Sequence, residues 1–150
     1  MDLKFSFGGA SPDHHDHGGA PSGIPLPFAG AATQLASTSS VLELHVTVAG
    51  QEVIAEALSG DGVSYGRAVT SAVDRDSVGV AAAARSALAR VGAELGDPLI
   101  GSVSAVVLDL GTLAAPVLAE LGVEAPGEAR VTEALQARTG VAQGTPVRVV

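Results

Sequence analysis

Residues 41–58 read Val41-Leu42-Glu43-Leu44-His45-Val46-Thr47-Val48-Ala49-Gly50-Gln51-Glu52-Val53-Ile54-Ala55-Glu56-Ala57-Leu58. Leu42, Leu44, Val46 and Val48 alternate with Glu43, His45 and Thr47. That two-residue period predicts a strand with one buried face. Ala49-Gly50-Gln51 reads as a turn, and Glu52 to Leu58 as the returning strand of a hairpin. Glu43 and Glu52 are then candidates to face each other as a carboxylate pair. A hairpin at the head of a domain is antiparallel, so the elements after it decide the fold class.

Ser59-Gly60-Asp61-Gly62 is a loop, and Val63 to Val73, with the single tyrosine Tyr65, predicts a third strand. Asp74, Asp76 and Ser77 are alternative N-caps that also place negative charge at a helix start. Val80, Ala84, Leu88, Val91 and Leu95 recur on one helical face, with Arg85, Arg90 and Glu94 off it. Gly96-Asp97-Pro98 ends that helix. Ile100 to Leu110 predicts a strand, and its run Val106-Val107-Leu108 predicts burial on both faces. Leu113 to Leu121 predicts a short helix with Pro116 in its first turn and Gly122 after it. Thr132 to Arg138 predicts another, closed by Gly140, and Pro146 to Val150 a terminal strand. The expected class is α/β: a mixed sheet that starts with a β-hairpin, with helices packed on it. A ribonuclease H-like arrangement is compatible with this order.

Residues 1–40 differ from residues 41–150, the expected α/β domain. They hold four of the eight prolines and all three phenylalanines. Such a stretch sustains neither a helix nor a central strand, yet disordered linkers are poor in aromatics. Leu3, Phe5 and Phe7 alternate with polar residues, while Ile24, Leu26 and Phe28 alternate with Pro25 and Pro27. The expectation is an extended, Gly/Pro-rich N-terminal arm. Phe5, Phe7, Ile24, Leu26 and Phe28 would be its anchors on a protein partner or a second copy.

The formal net charge is −8, and no five-residue window holds more than one Lys or Arg. Nucleic-acid grooves and anionic membrane faces need basic clusters, so neither partner is expected. The absence of cysteine excludes disulfides and thiolate chemistry. No run approaches the ~18 apolar residues of a membrane span, and Met1 to Phe5 does not begin a signal peptide. The expected compartment is the cytoplasm. Abundant Ala, Val and Gly suggest a GC-rich bacterial genome.

Two strings carry possible chemistry. Asp109-Leu110-Gly111-Thr112 comes after a strand and opens a helix, where free N–H groups favour anions. Asp109 would hold a divalent metal or a ribose hydroxyl, and Gly111 and Thr112 would face phosphate; a plain turn needs the same residue types. Asp13-His14-His15-Asp16-His17 offers imidazoles and carboxylates, good ligands for zinc, nickel or copper. Neighbouring ligands splay apart in an extended chain, so a site would combine two of His14, His15 and His17 with His45 on the first strand. No P-loop and no G-x-G-x-x-G string is present.

Ser40 to Ala57, Asp74 to Gly96 and Val103 to Asp109 together resemble, in order and texture, the N-terminal half-domain of the actin-like ATPase superfamily. The similarity is to FGGY-type carbohydrate kinases and hydantoinase A-type proteins, over residues 40–121. The resemblance implies a nucleotide-binding fold that needs a partner half. Those families place a D-x-G-T-type phosphate loop between the first two strands; here that turn is Val48-Ala49-Gly50-Gln51, and the D-x-G-T string sits later, at Asp109.

The composition favours a different class. From Val41 onward Tyr65 is the single aromatic, so the core must be built of Val, Leu, Ile and Ala, whereas ligand pockets are usually lined by aromatics. The leading expectation is a non-catalytic interaction or accessory subunit that uses its apolar arm for assembly. A truncated actin-like kinase or hydantoinase relative comes second, and metal handling through the histidine string third.

Overall fold

A computed structural model describes residues 37–123 and 127–150. Strand β1 (Leu42–Ala49) and strand β2 (Glu52–Ser59) form the expected hairpin around Gly50, whose φ of +68° needs glycine. The tight turn sets Ala49 opposite Glu52, so Glu43 lies opposite Leu58. The carboxylate pair expected between Glu43 and Glu52 therefore does not form. Strand β3 (Ser64–Ser71) is shorter at both ends than its apolar residues suggest. The long helix α1 (Ser77–Leu95) starts at Asp76, whose carboxylate accepts from the Gly79 N–H at 2.8 Å.

The apolar pattern predicts the next strand from Ile100. Instead Pro98 sits in the first turn of a one-turn helix α2 (Asp97–Ile100), and strand β4 spans Ala105–Asp109. Proline pre-sets the helical φ and has no N–H to lose there, so the apolar Ile100 goes to the helical layer. A 3-10 turn (Gly111–Leu113) leads into helix α3 (Ala114–Glu120). Helix α4 (Glu133–Thr139) is capped by Thr132 and ends on Gly140 at φ +83°, and strand β5 spans Val147–Val149.

The sheet order is β3-β2-β1-β4-β5. The first three strands are antiparallel neighbours, while β4 runs parallel to both β1 and β5. This is a mixed five-stranded sheet of the α/β class. On one side Leu44, Val46, Val53, Ala55, Val106 and Leu108 are buried. Helix α1 covers that side, lying chiefly over β2 and β3, with α3 and α4 packed against it. Each buried Leu or Val contributes about 1.5–3 kcal/mol. Ala55, Ala57 and Ala68 line the track under α1, where short side chains admit a close helix.

Helix α1 also seals an edge of the sheet. The outward N–H of Arg67 on β3 donates to Glu94 Oε2 at 3.3 Å, and the Val69 carbonyl accepts from Arg90 Nη1 at 3.4 Å. Glu94 and Arg90 are one helical turn apart, which matches two outward groups on a strand. Unpaired edges invite strand addition from other chains, and charged cover blunts that. At the opposite edge, the Val147 N–H donates to the Ala129 carbonyl at 2.8 Å.

Gly92 decides how closely the helices meet. A Cβ at this position would lie 2.6 Å from the Thr139 carbonyl at the end of α4. Glycine inside a helix costs about 1 kcal/mol relative to alanine, and the close approach explains its place here. Gly92→Ala should therefore destabilise the domain despite its better helix propensity. The expected net loss is about 1–3 kcal/mol, read as a lower urea midpoint with an unchanged slope. An unchanged or higher midpoint would show that the helices separate freely.

Candidate functional site

The side of the sheet away from the helices carries the residues that β1 alternation sets aside. Across the middle of that face, Arg67, Glu56, His45, Val107 and Arg148 stand in one row over all five strands. His45 Nε2 lies 3.2 Å from Glu43 Oε2, and Arg148 Nη2 donates to Glu43 Oε1. Glu43 is on β1 and Arg148 on β5, so their ion pair passes over β4 between them. Ala105 and Val107 face this helix-free side, yet each is only 4 % exposed.

Asp109 is the last residue of β4, exposed on the same face beside Thr47 of β1. Gly111, at φ +57°, and Thr112 come next, in the 3-10 turn. All three thus sit at the C-terminal end of the parallel strands β1 and β4, where α/β sheets bind ligands. Thr112 does not cap α3 through its side chain. Of the expected metal ligands, His45 is held by Glu43, and His14, His15 and His17 lie outside the described residues. Among the described residues no group of three or more His, Asp or Glu is arranged to hold a metal ion. The arm residues Phe5, Phe7, Ile24, Leu26 and Phe28 also lie outside the described residues.

One further string has a catalytic spelling. Gly62-Val63-Ser64-Tyr65-Gly66 matches the Gly-x-Ser-x-Gly pattern. That pattern acts when a strained strand-to-helix turn exposes the serine. Here Ser64 opens an antiparallel strand after a hairpin loop, so the elbow geometry is missing.

Asp61 is a structural hub in that loop. Its carboxylate accepts from the hydroxyls of Ser37 and Ser59, and from the Thr38 N–H at 3.1 Å. Residues 37–39 are thereby tied to the β2–β3 loop. The Ser37 hydroxyl, then the Ser59 hydroxyl, hold the Asp61 carboxyl at about 2, below its ordinary 3.8. By sequence Asp61 is an ordinary loop residue, because its partners lie up to 24 positions away.

A third feature lies where β3 passes into α1. An open groove of about 390 Å³ is lined by Thr70, Val73, Asp74, Asp76, Val78 and Ala82, among others. Val73 is 88 % exposed and Val78 is 57 % exposed. The Thr70 hydroxyl is buried without a hydrogen-bond partner among the described residues. The apolar pattern alone puts Val73 at the end of a strand and gives Val78 no role. A signal is present nonetheless: Val78 is two residues before Val80, about 200° around the helix from the buried stripe.

Comparison with protein-family models, with curated proteins and with solved structures finds no match. No described helix is long and apolar enough to cross a membrane.

Two measurements test these arrangements. Because folding lowers the Asp61 pKa, its contribution is complete above the ordinary value of 3.8 and fades as pH falls towards about 2. Asp61→Asn should therefore melt below the natural chain at pH 5, with the gap closing near pH 2. A gap that stays constant with pH would remove the carboxylate's role. In a double-mutant cycle, Glu43→Gln with Arg148→Ala should show a coupling of about 0.5–1 kcal/mol, as partly exposed pairs do. Zero coupling would mean that the pair merely coexists with the buried Val107.

Proposed function

We propose that this chain is a non-catalytic interaction or accessory subunit, a protein-binding module on an α/β scaffold. The observation that carries this reading is the groove beside α1. Val73 and Val78 stand exposed together there, the two most exposed large aliphatic side chains between β3 and the end of α1. Single exposed apolar residues are ordinary, whereas adjoining ones in a concavity are a feature of binding surfaces. The apolar side chains of the N-terminal arm, Phe5, Phe7, Ile24, Leu26 and Phe28, are the second element of the proposal and serve assembly. The sealed β3 edge fits it as well, because such a module must avoid indiscriminate strand pairing.

A second reading is a truncated actin-like kinase or hydantoinase relative that binds nucleotide together with a partner half. The element order supports it: three strands precede the long helix, and parallel strands come after it. Asp109 at the C-terminal end of β4 would then face the nucleotide. Saturable binding of magnesium and ATP that is lost in Asp109→Asn would favour this reading over the first.

Light scattering tests the leading one. The full chain should run as a defined oligomer, and the triple variant Phe5→Ser, Phe7→Ser, Phe28→Ser should run at the mass of one chain with an unchanged melting temperature. A natural chain that is already monomeric, and equally stable with the three serines, would sink the assembly role of the arm.

A further inference from the structure

We propose that the groove between the end of β3 and the first turns of α1 binds a partner segment that carries an apolar side chain next to a Lys or Arg. This rests on the reading of the chain as an interaction module and names the chemistry of its partner.

The apolar half of the site is Val73, Val78 and Ala82. Val73 is the most exposed of the large apolar side chains among the described residues. It gains from any partner that removes it from water, at about 25 cal/mol per Å² of apolar surface. The polar half is acidic. Asp74 makes no side-chain hydrogen bond among the described residues, and Asp76 uses Oδ1 to cap Gly79 and keeps its second oxygen. Arg75 stands between them in sequence but does not line the groove. The negative rim agrees with the charge of −8 on the whole chain, which draws in cations and repels anionic segments. Thr70 adds a hydroxyl without a partner.

Carboxylates beside exposed valines fit a segment in which an aliphatic residue and a cation are close neighbours. A purely apolar segment would leave Asp74 desolvated without a partner, which is costly. An acidic segment would meet like charge, so the rim sets specificity and the valines supply most of the affinity.

The test uses the full isotope-labelled chain and two short peptides, one alternating leucine with lysine, the other leucine with glutamate. Amide shifts with the lysine peptide should concentrate between Thr70 and Ala82. Val73→Ser and Val78→Ser should each weaken binding about tenfold or more, the factor one buried aliphatic side chain supplies. Asp74→Asn should weaken it and reduce its dependence on salt. Both valines are exposed, so these variants should melt like the natural chain, which shows that any loss is local. Shifts located elsewhere, affinity indifferent to the serine variants, or equal binding of the glutamate peptide would overturn the proposal. If the arm-dependent oligomer persists while the groove ignores the lysine peptide, this inference falls alone. If both are lost, the module reading falls with it.

Discussion

Alternation along β1 constrains the rest of the domain, because β1 is the strand with both an antiparallel and a parallel neighbour. Leu42, Leu44 and Val46 must leave water on one side, while Glu43, His45 and Thr47 keep to the other. A slip of one residue would exchange the two sets, at a cost of several buried aliphatic side chains. Burial therefore sets the register of β2 and β4 against β1. All the helices then gather on the apolar side, since that is where their own stripes can be hidden.

Small residues make this arrangement work without aromatics in the core. Ala55, Ala57 and Ala68 on the sheet, and Ala81, Ala84 and Ala87 on α1, allow a close approach between the layers. Gly92 does the same between α1 and the end of α4. Each such residue buries less area than a leucine would, so the core depends on close packing more than on bulk. Longer side chains finish the structure from the outside. Arg85 crosses from α1 to the last carbonyl of α3, Arg90 and Glu94 cap the β3 edge, and Arg148 reaches over β4 to Glu43.

This division has a functional side. On the helix-free face the chain Arg148–Glu43–His45 is paired and lies over residues that are already buried. The groove at the start of α1 is different: its valines and Asp74 have no such partners among the described residues. A surface that is already satisfied gains little from a guest, whereas one with unburied apolar area and an unpaired charge gains from both. Exposed aliphatic surface beside a carboxylate is what distinguishes the β3–α1 junction from the helix-free face.

Local periodicity was enough to recover the hairpin, the long helix with its cap in the Asp74–Ser77 stretch, the two short helices, the doubly buried strand and the α/β class. These features repeat every two or 3.6 residues, so a short window contains the whole signal. The exposed side of Val78 was legible in the same way, being out of phase with Val80. What only the tertiary structure decided were the non-local pairings. Asp61 meets Ser37 across 24 positions, and Glu43 meets Arg148 across 105. The close approach of residue 92 to Thr139, which demands glycine there, belongs to the same class. No window of sequence holds both members of such a pair, and their geometry exists only once burial of the β1 face has brought distant segments together.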